Sequence, residues 1–250
     1  MAERQYVSVI ARELGRHAVW PPGLQLQVGD YGRMAGGVFR IGGSVFMKLG
    51  NIADFGVTEI RTTPSEKMGW SFTSSGTKTV FVKGNIDGGV GEAMLQIECG
   101  NKESLFIRSA KSVVEQIDNL QSIADALQTV EKWKSHWKLI REVRRVQDGL
   151  VLVSNSGGGT IQLTGGLKEI QGLDQVGIKA GTGIRISGNT SDRYSGVNGS
   201  LVLGLVRIIK NPLFGDSARD FLGAKGSEAR YRIEEIVPRL GLEDDPEEPA

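Results

Sequence analysis

The chain holds a single cysteine, Cys99, in 250 residues. It therefore cannot form an intramolecular disulfide, and its composition suits a reducing compartment. Histidine is nearly as scarce: only His17 and His136 occur, and neither has a histidine or cysteine neighbour at helical spacing. Nitrogen and sulfur metal sites need several such donors converging, so no metal ligands are expected. No stretch approaches the ~20 apolar residues of a spanning helix, and the opening Met1-Ala2-Glu3-Arg4-Gln5 carries no signal-peptide run. The expected location is cytoplasmic. Barrel strands need only alternate, so hydropathy does not test for them. An excess of charge is missing too: 30 basic residues face 29 acidic ones, a net charge of +1. Whole-molecule attraction to nucleic acid or anionic lipid is not indicated, and no nucleic-acid partner is expected.

Catalytic motifs are equally sparse. No Gly-x-Ser-x-Gly elbow occurs. Gly181-Thr182-Gly183 starts like a dinucleotide fingerprint but lacks the later glycine and runs into β-like sequence, as does Gly157-Gly158-Gly159-Thr160. Phosphate cradling needs amides converging at a helix start, so hairpin turns account better for both. A nucleophile at Cys99 with His17 or His136 is the one enzymatic arrangement left, and no spacing supports it. The expectation is a non-enzymatic protein with no catalytic residue and no cofactor.

Glycine is abundant instead, 35 residues, spread through the β-like parts and nearly absent from 101–148. The one long helical reading covers Ser109 to Trp137. There Val113, Ile117, Leu120, Ala124, Leu127 and Val130 recur at steps of three and four. Residues 3–15 suggest a short helix ending at Gly15. Leu24–Val28 alternates strictly, and Val38–Ile41 and Ser44–Leu49 flank Gly42-Gly43 as a hairpin. Gly69–Lys83 and Ala93–Arg108 read as two more hairpins with alternating faces, able in principle to extend into spanning strands of ~9–11 residues each. Lys138–Val146 and Leu150–Val153 flank Asp148-Gly149, a two-residue turn signal. Further β segments run at Thr160–Thr164, Val176–Lys179, Gly183–Ser187 and Ser200–Lys210.

The expected fold class is α+β: a glycine-rich, mostly antiparallel twisted sheet with one long central helix and short terminal helices. Residues 1–221 would form one domain and 222–227 a flexible joint. Residues 228–250 would be a short amphipathic segment, with Tyr231, Ile233, Ile236, Val237 and Leu240 on one side, and an acidic tail.

One constellation mixes cations and indoles: Lys132, Trp133, Lys134, Trp137, Lys138, Arg141, Arg144 and Arg145. Tryptophan with Lys/Arg favours a bilayer interface and can also stack on bases and meet phosphates. The plainer alternative has the indoles closing the helix–sheet core while the cations snorkel to water.

In its order of elements the chain resembles the pore-forming domain of gasdermins, in particular the short bacterial ones. The matching order is strands Ala93–Cys99 and Ser104–Arg108, the helix from Ser109, strands Lys138–Val146 and Leu150–Val153, glycine-rich strands to Lys210, and a C-terminal piece beyond a joint. The resemblance implies a protein held inactive by its C-terminal peptide, cleaved by a protease, and assembling into a membrane pore that kills the cell in bacterial defence. It implies anionic lipids and an activating protease as partners, a homo-oligomer on the membrane, and movement to the inner membrane on activation. Leu222, Gly223, Ala224 and Lys225 would be the cleavage joint, and Tyr231, Ile233, Ile236, Val237 and Leu240 the inhibitory contacts. A soluble interaction or scaffold protein without membrane activity is the alternative.

Overall fold

The computed structural model describes residues 2–41, 51–83, 92–100, 103–128, 130, 133–154, 157–166, 185–188, 190–210 and 231–238. The expected hairpin arm at Ser44–Leu49, the strand Val176–Lys179, the joint 222–227, Lys132, Leu240 and the acidic tail lie outside these residues.

Helix α1 (Ala2–Leu14) forms as its spacing predicts. Tyr6, Val7, Val9 and Ile10 fall on one face and are buried. The helix stops at Gly15, whose φ of 60° is the left-handed value a helix C-terminus favours in glycine. Two short strands follow, β1 (His17–Ala18) and β2 (Tyr31–Ala35), and β2 turns at Gly36-Gly37 into β3 (Val38–Arg40). Between β1 and β2, Leu24–Val28 forms no strand. Only Leu24 makes a bridge, to Ser200, although Leu26 and Val28 are buried as the alternation demands.

Strands then dominate: β4 (Thr62–Thr73), β5 (Thr77–Lys83), β6 (Glu92–Cys99) and β7 (Leu105–Ile117). After helix α2 (Leu120–Gln128) come β8 (Lys138–Ser154), β9 (Gly159–Gly166), β10 (Arg185–Gly188), β11 (Thr190–Lys210) and β12 (Tyr231–Ile236). The antiparallel α+β reading stands, but the long central helix does not. Ser109–Ile117 belongs to β7, and the helix is confined to 120–128. Val113 and Ile117 are four apart, a spacing that suits one helical face and one strand face equally. Pairing decides between them: β7 is bonded to β4 from Thr62↔Ile117 to Thr73↔Phe106 and to β8 from Leu105↔Val153 to Gln116↔Glu142. A strand satisfied on both sides and rich in Val and Ile outweighs a local helical pattern.

Two expected hairpins are also re-paired. β4 bonds β7, and β5 bonds β6 from Thr77↔Cys99 to Lys83↔Ala93. Ser74-Ser75-Gly76 is thus a corner between two sheets. The Ser74 amide donates to the Leu105 carbonyl at 2.9 Å, and Ser74 Oγ accepts from the Leu105 amide at 2.8 Å. Asp148-Gly149 is no turn either. β8 runs through it as a bulge, with Asp148 at φ 51° and the β11 register stepping from Val197↔Gly149 to Gly199↔Val146. A bulge and a tight turn need the same positive-φ residues, so this dipeptide alone does not separate them.

The larger sheet is built about β8. β11 lies along one edge of it, and β7 then β2 along the other; β4 follows β7, while β1 and β12 share the far edge of β11. The smaller sheet, in the order β10-β9-β6-β5, packs Leu95, Ile97, Ile161 and Leu163 against Phe106, Leu150 and Leu152. On the opposite face of the same strands, Leu105, Ile107, Val151 and Val153 meet α1. Beyond them a third cluster gathers Ile123, Ala124 and Leu127 of α2 with Tyr31, Trp133, Trp137, Leu139, Val143 and Ile208.

Candidate functional site

The C-terminal segment expected to be a short helix is β12, an outer strand on β11. Six register pairs join them, from Leu205↔Ile236 to Lys210↔Tyr231. Its sequence, Tyr231-Arg232-Ile233-Glu234-Glu235-Ile236, places β-branched residues where an open strand edge offers a full ladder, and the ladder wins. Ile233 and Ile236 are half-buried and pack against the α2 cluster. Val237 is 63% exposed.

Charged groups line both sides of this strand. Arg207 of β11 reaches Glu234 through Nη2 at 2.5 Å and Nε at 3.2 Å. Arg207's hydrogen bonds hold the Glu234 carboxyl below the usual glutamate range, with Arg232 adding to the effect. Glu235 faces Arg16 at 3.5 Å and Arg141 at 3.9 Å, and Arg16 also meets Glu142 at 3.3 Å. At the strand's end His17, 4% exposed, lies 2.9 Å through Nε2 from the Ile236 carbonyl. A carbonyl only accepts, so Nε2 carries the proton in this contact. Burial pushes the imidazole pKa down, the bond to Ile236 opposes this, and the charges of Lys138 and Arg16 add to the fall.

The basic-aromatic stretch runs beneath this edge without forming one patch. Trp133 and Trp137 are 5% and 7% exposed, and their ring centroids lie 5.4 Å apart and within 6 Å of Tyr31 and Phe55. Trp133 Nε1 donates to the Ile208 carbonyl at 3.4 Å, so the indole abuts the strand that carries β12. Lys134 is exposed, its Nζ 5.7 Å from the Trp137 ring centroid. Lys138 is buried and donates to the His136 carbonyl at 2.8 Å. Arg141 faces β12, Arg144 lies over Trp70 at 4.8 Å, and Arg145 holds Glu115 at 2.7 Å and the Leu26 carbonyl at 3.2 Å. Arg144 and Arg145 are successive strand residues, so they point to opposite faces.

Cys99 is buried in the core between the two sheets, whereas His17 sits on the far edge of β11 and His136 beside Trp137. No group of three or more His, Cys, Asp or Glu among the described residues is placed to hold a metal ion. No described helix is long and apolar enough to cross a membrane. Sequence reasoning found the apolar residues of β12 but missed Arg16, His17, Arg207, Glu234 and Glu235. No local signal marked these contacts: Ile233-Glu234-Glu235-Ile236 does not alternate, and its apolar spacing of three suits a helix face better than a strand face.

No family model and no curated protein matches the chain. Among solved structures, a bacterial gasdermin from Bradyrhizobium tropiciagri matches at 12% identity and a TM-score of 0.37. The match covers 83% of this chain and 88% of that one. It is a weak structural resemblance.

Proposed function

We propose that this chain is a non-enzymatic, membrane-perforating protein of the gasdermin kind, held in a closed form by its C-terminal strand. The observation that carries this reading is how β12 is attached. Lys210 and Tyr231 are register partners, and two residues suffice to join such neighbours, yet residues 211–230 intervene. A cut there severs the covalent tie without touching the ladder. Once cut, β12 loses the high local concentration that a tether supplies. Its departure uncovers the β11 edge and the apolar residues under Ile233 and Ile236. The strands that remain are long: β7, β8 and β11 run 13, 17 and 21 residues, against the ~9–11 that cross a bilayer. Open edges of such strands pair with other copies, which supplies a route to a homo-oligomer on anionic lipid, with a protease as activator and the inner membrane as destination.

The test is dye leakage from anionic vesicles, using the purified folded chain with a protease site placed at Leu222–Lys225. The intact chain should leave vesicles sealed, and cleavage should open them. Cleaved protein that separates from β12 and causes no leakage overturns the reading. The burial of Trp133 and Trp137 favours the second reading, an interaction protein without membrane activity, because neither indole is displayed in this form.

A further inference from the structure

His17 lies where three elements meet. β1 sets it opposite Leu203 of β11, β12 ends with the Ile236 carbonyl on its Nε2, and Lys138 of β8 acts on its charge. Lys138 is only 5% exposed and is held by the His136 carbonyl. The other charged groups here are Arg16 from the α1–β1 joint, Glu142 and Arg141 from β8, and Glu235 from β12. Both carboxylates are engaged by arginine, so the charges felt by the imidazole are the two cations, Lys138 and Arg16.

We propose that His17 is an acid-sensitive fastener for β12, in which proton uptake by the imidazole loosens the strand from β11. Nε2 already carries a proton toward Ile236, so the added proton goes to Nδ1. The charge it brings is enclosed at 4% exposure beside two cations, an arrangement that disfavours the charged form. When β12 lifts away, the ring gains water and holds its charge more readily. The docked pKa therefore lies below the ordinary ~6.5 of histidine, and the β12-free value lies nearer to it. By linkage, docking is strongest above that ordinary value and weakens as pH falls toward the docked pKa, by at most about tenfold per pH unit. Glu234 acts in a lower window. Its depressed pKa gives a contribution that is complete above the ordinary ~4.3 and fades as pH falls further. As a trigger for perforation the fastener rests on the function proposed above; as a property of β12 it needs no membrane.

Amide exchange of residues 231–236, read by mass spectrometry on the full chain and corrected for intrinsic rates, tests it between about pH 7.5 and about pH 5. Wild-type β12 should lose protection across this range while β6 keeps its own. His17→Gln keeps an N–H for Ile236 but does not titrate, so its profile should be flat. A flat wild-type profile, or an equal slope in His17→Gln, overturns the proposal. Because the substitution can disturb docking by itself, an NMR titration of wild-type His17, one of only two histidines, gives an independent reading. A pKa at or above the ordinary ~6.5 also overturns it, and Lys138→Met should raise whatever value is found. Neither readout involves vesicles, so a failure here leaves the leakage result to stand or fall separately.

Discussion

Replacing Ile233 and Ile236 together with alanine should free β12 while leaving the body folded. Fully burying an isoleucine is worth ~1.5–3 kcal/mol. Both residues are half-buried against the α2 cluster, which scales this to about 1 kcal/mol each, or about 2 kcal/mol for the pair. At 1.4 kcal/mol per tenfold, local opening should rise roughly 30-fold. The competing source of docking is the Arg207–Glu234 pair, whose side chains are 36% and 24% exposed. Half-exposed pairs contribute ~0.2–1 kcal/mol, so Arg207→Gln should raise opening about fivefold at most. Exchange of residues 231–236 at neutral pH measures both, with thermal unfolding as the check on the body. If Arg207→Gln frees the strand more than the double alanine variant does, the docking is ionic and the reasoning from burial fails.

Four further substitutions probe the body. Arg145→Met strands the half-buried Glu115 and removes the bond to the Leu26 carbonyl; it should lower stability by about 1–3 kcal/mol in urea titration. Gly199 has φ 150°, and a Cβ there would stand 2.2 Å from the Gly23 carbonyl oxygen. Gly199→Ala should therefore lower the Tm sharply, whereas Gly36→Ala, with open space around it, should show only the smaller cost of its positive φ. Asp30 is pushed above the usual aspartate range by burial, against hydrogen bonds from Gln27 and Asn51. Its folded pKa exceeds the unfolded one, so stability should fall as pH rises from ~3.9 through the folded value. Asp30→Asn should flatten that slope and match the wild type at neutral pH; a loss above ~1 kcal/mol would show that the carboxylate is needed.

Local periodicity located segments better than it identified their partners. α1 was legible because Tyr6, Val7, Val9 and Ile10 sit between a polar start and Gly15, with no rival strand pattern. Ser109–Ile117 was misread because four-residue spacing fits both periods, and the deciding fact, two flanking ladders, lies far away in sequence. The same holds for β4 and β5: their alternation is visible, but nothing local says that β4 turns to β7 and β5 to β6. Trp133 and Trp137 do converge as their spacing suggested, yet through turns and not a helix, and around Tyr31 and Phe55. The His17–Ile236 contact joins residues 219 apart, beyond reach of any spacing argument.

A reversible lock on β12 tests the central claim most directly. Ile209 and Arg232 are cross-strand partners, and antiparallel partners have Cα atoms ~4.5–5.5 Å apart, within disulfide range. Ile209→Cys with Arg232→Cys, oxidised and then cleaved at Leu222–Lys225, keeps β12 bound to the body without its tether. The account predicts that this cleaved, locked protein leaves anionic vesicles sealed and opens them when a reductant is added. Leakage that begins on cleavage while the disulfide is intact would contradict it.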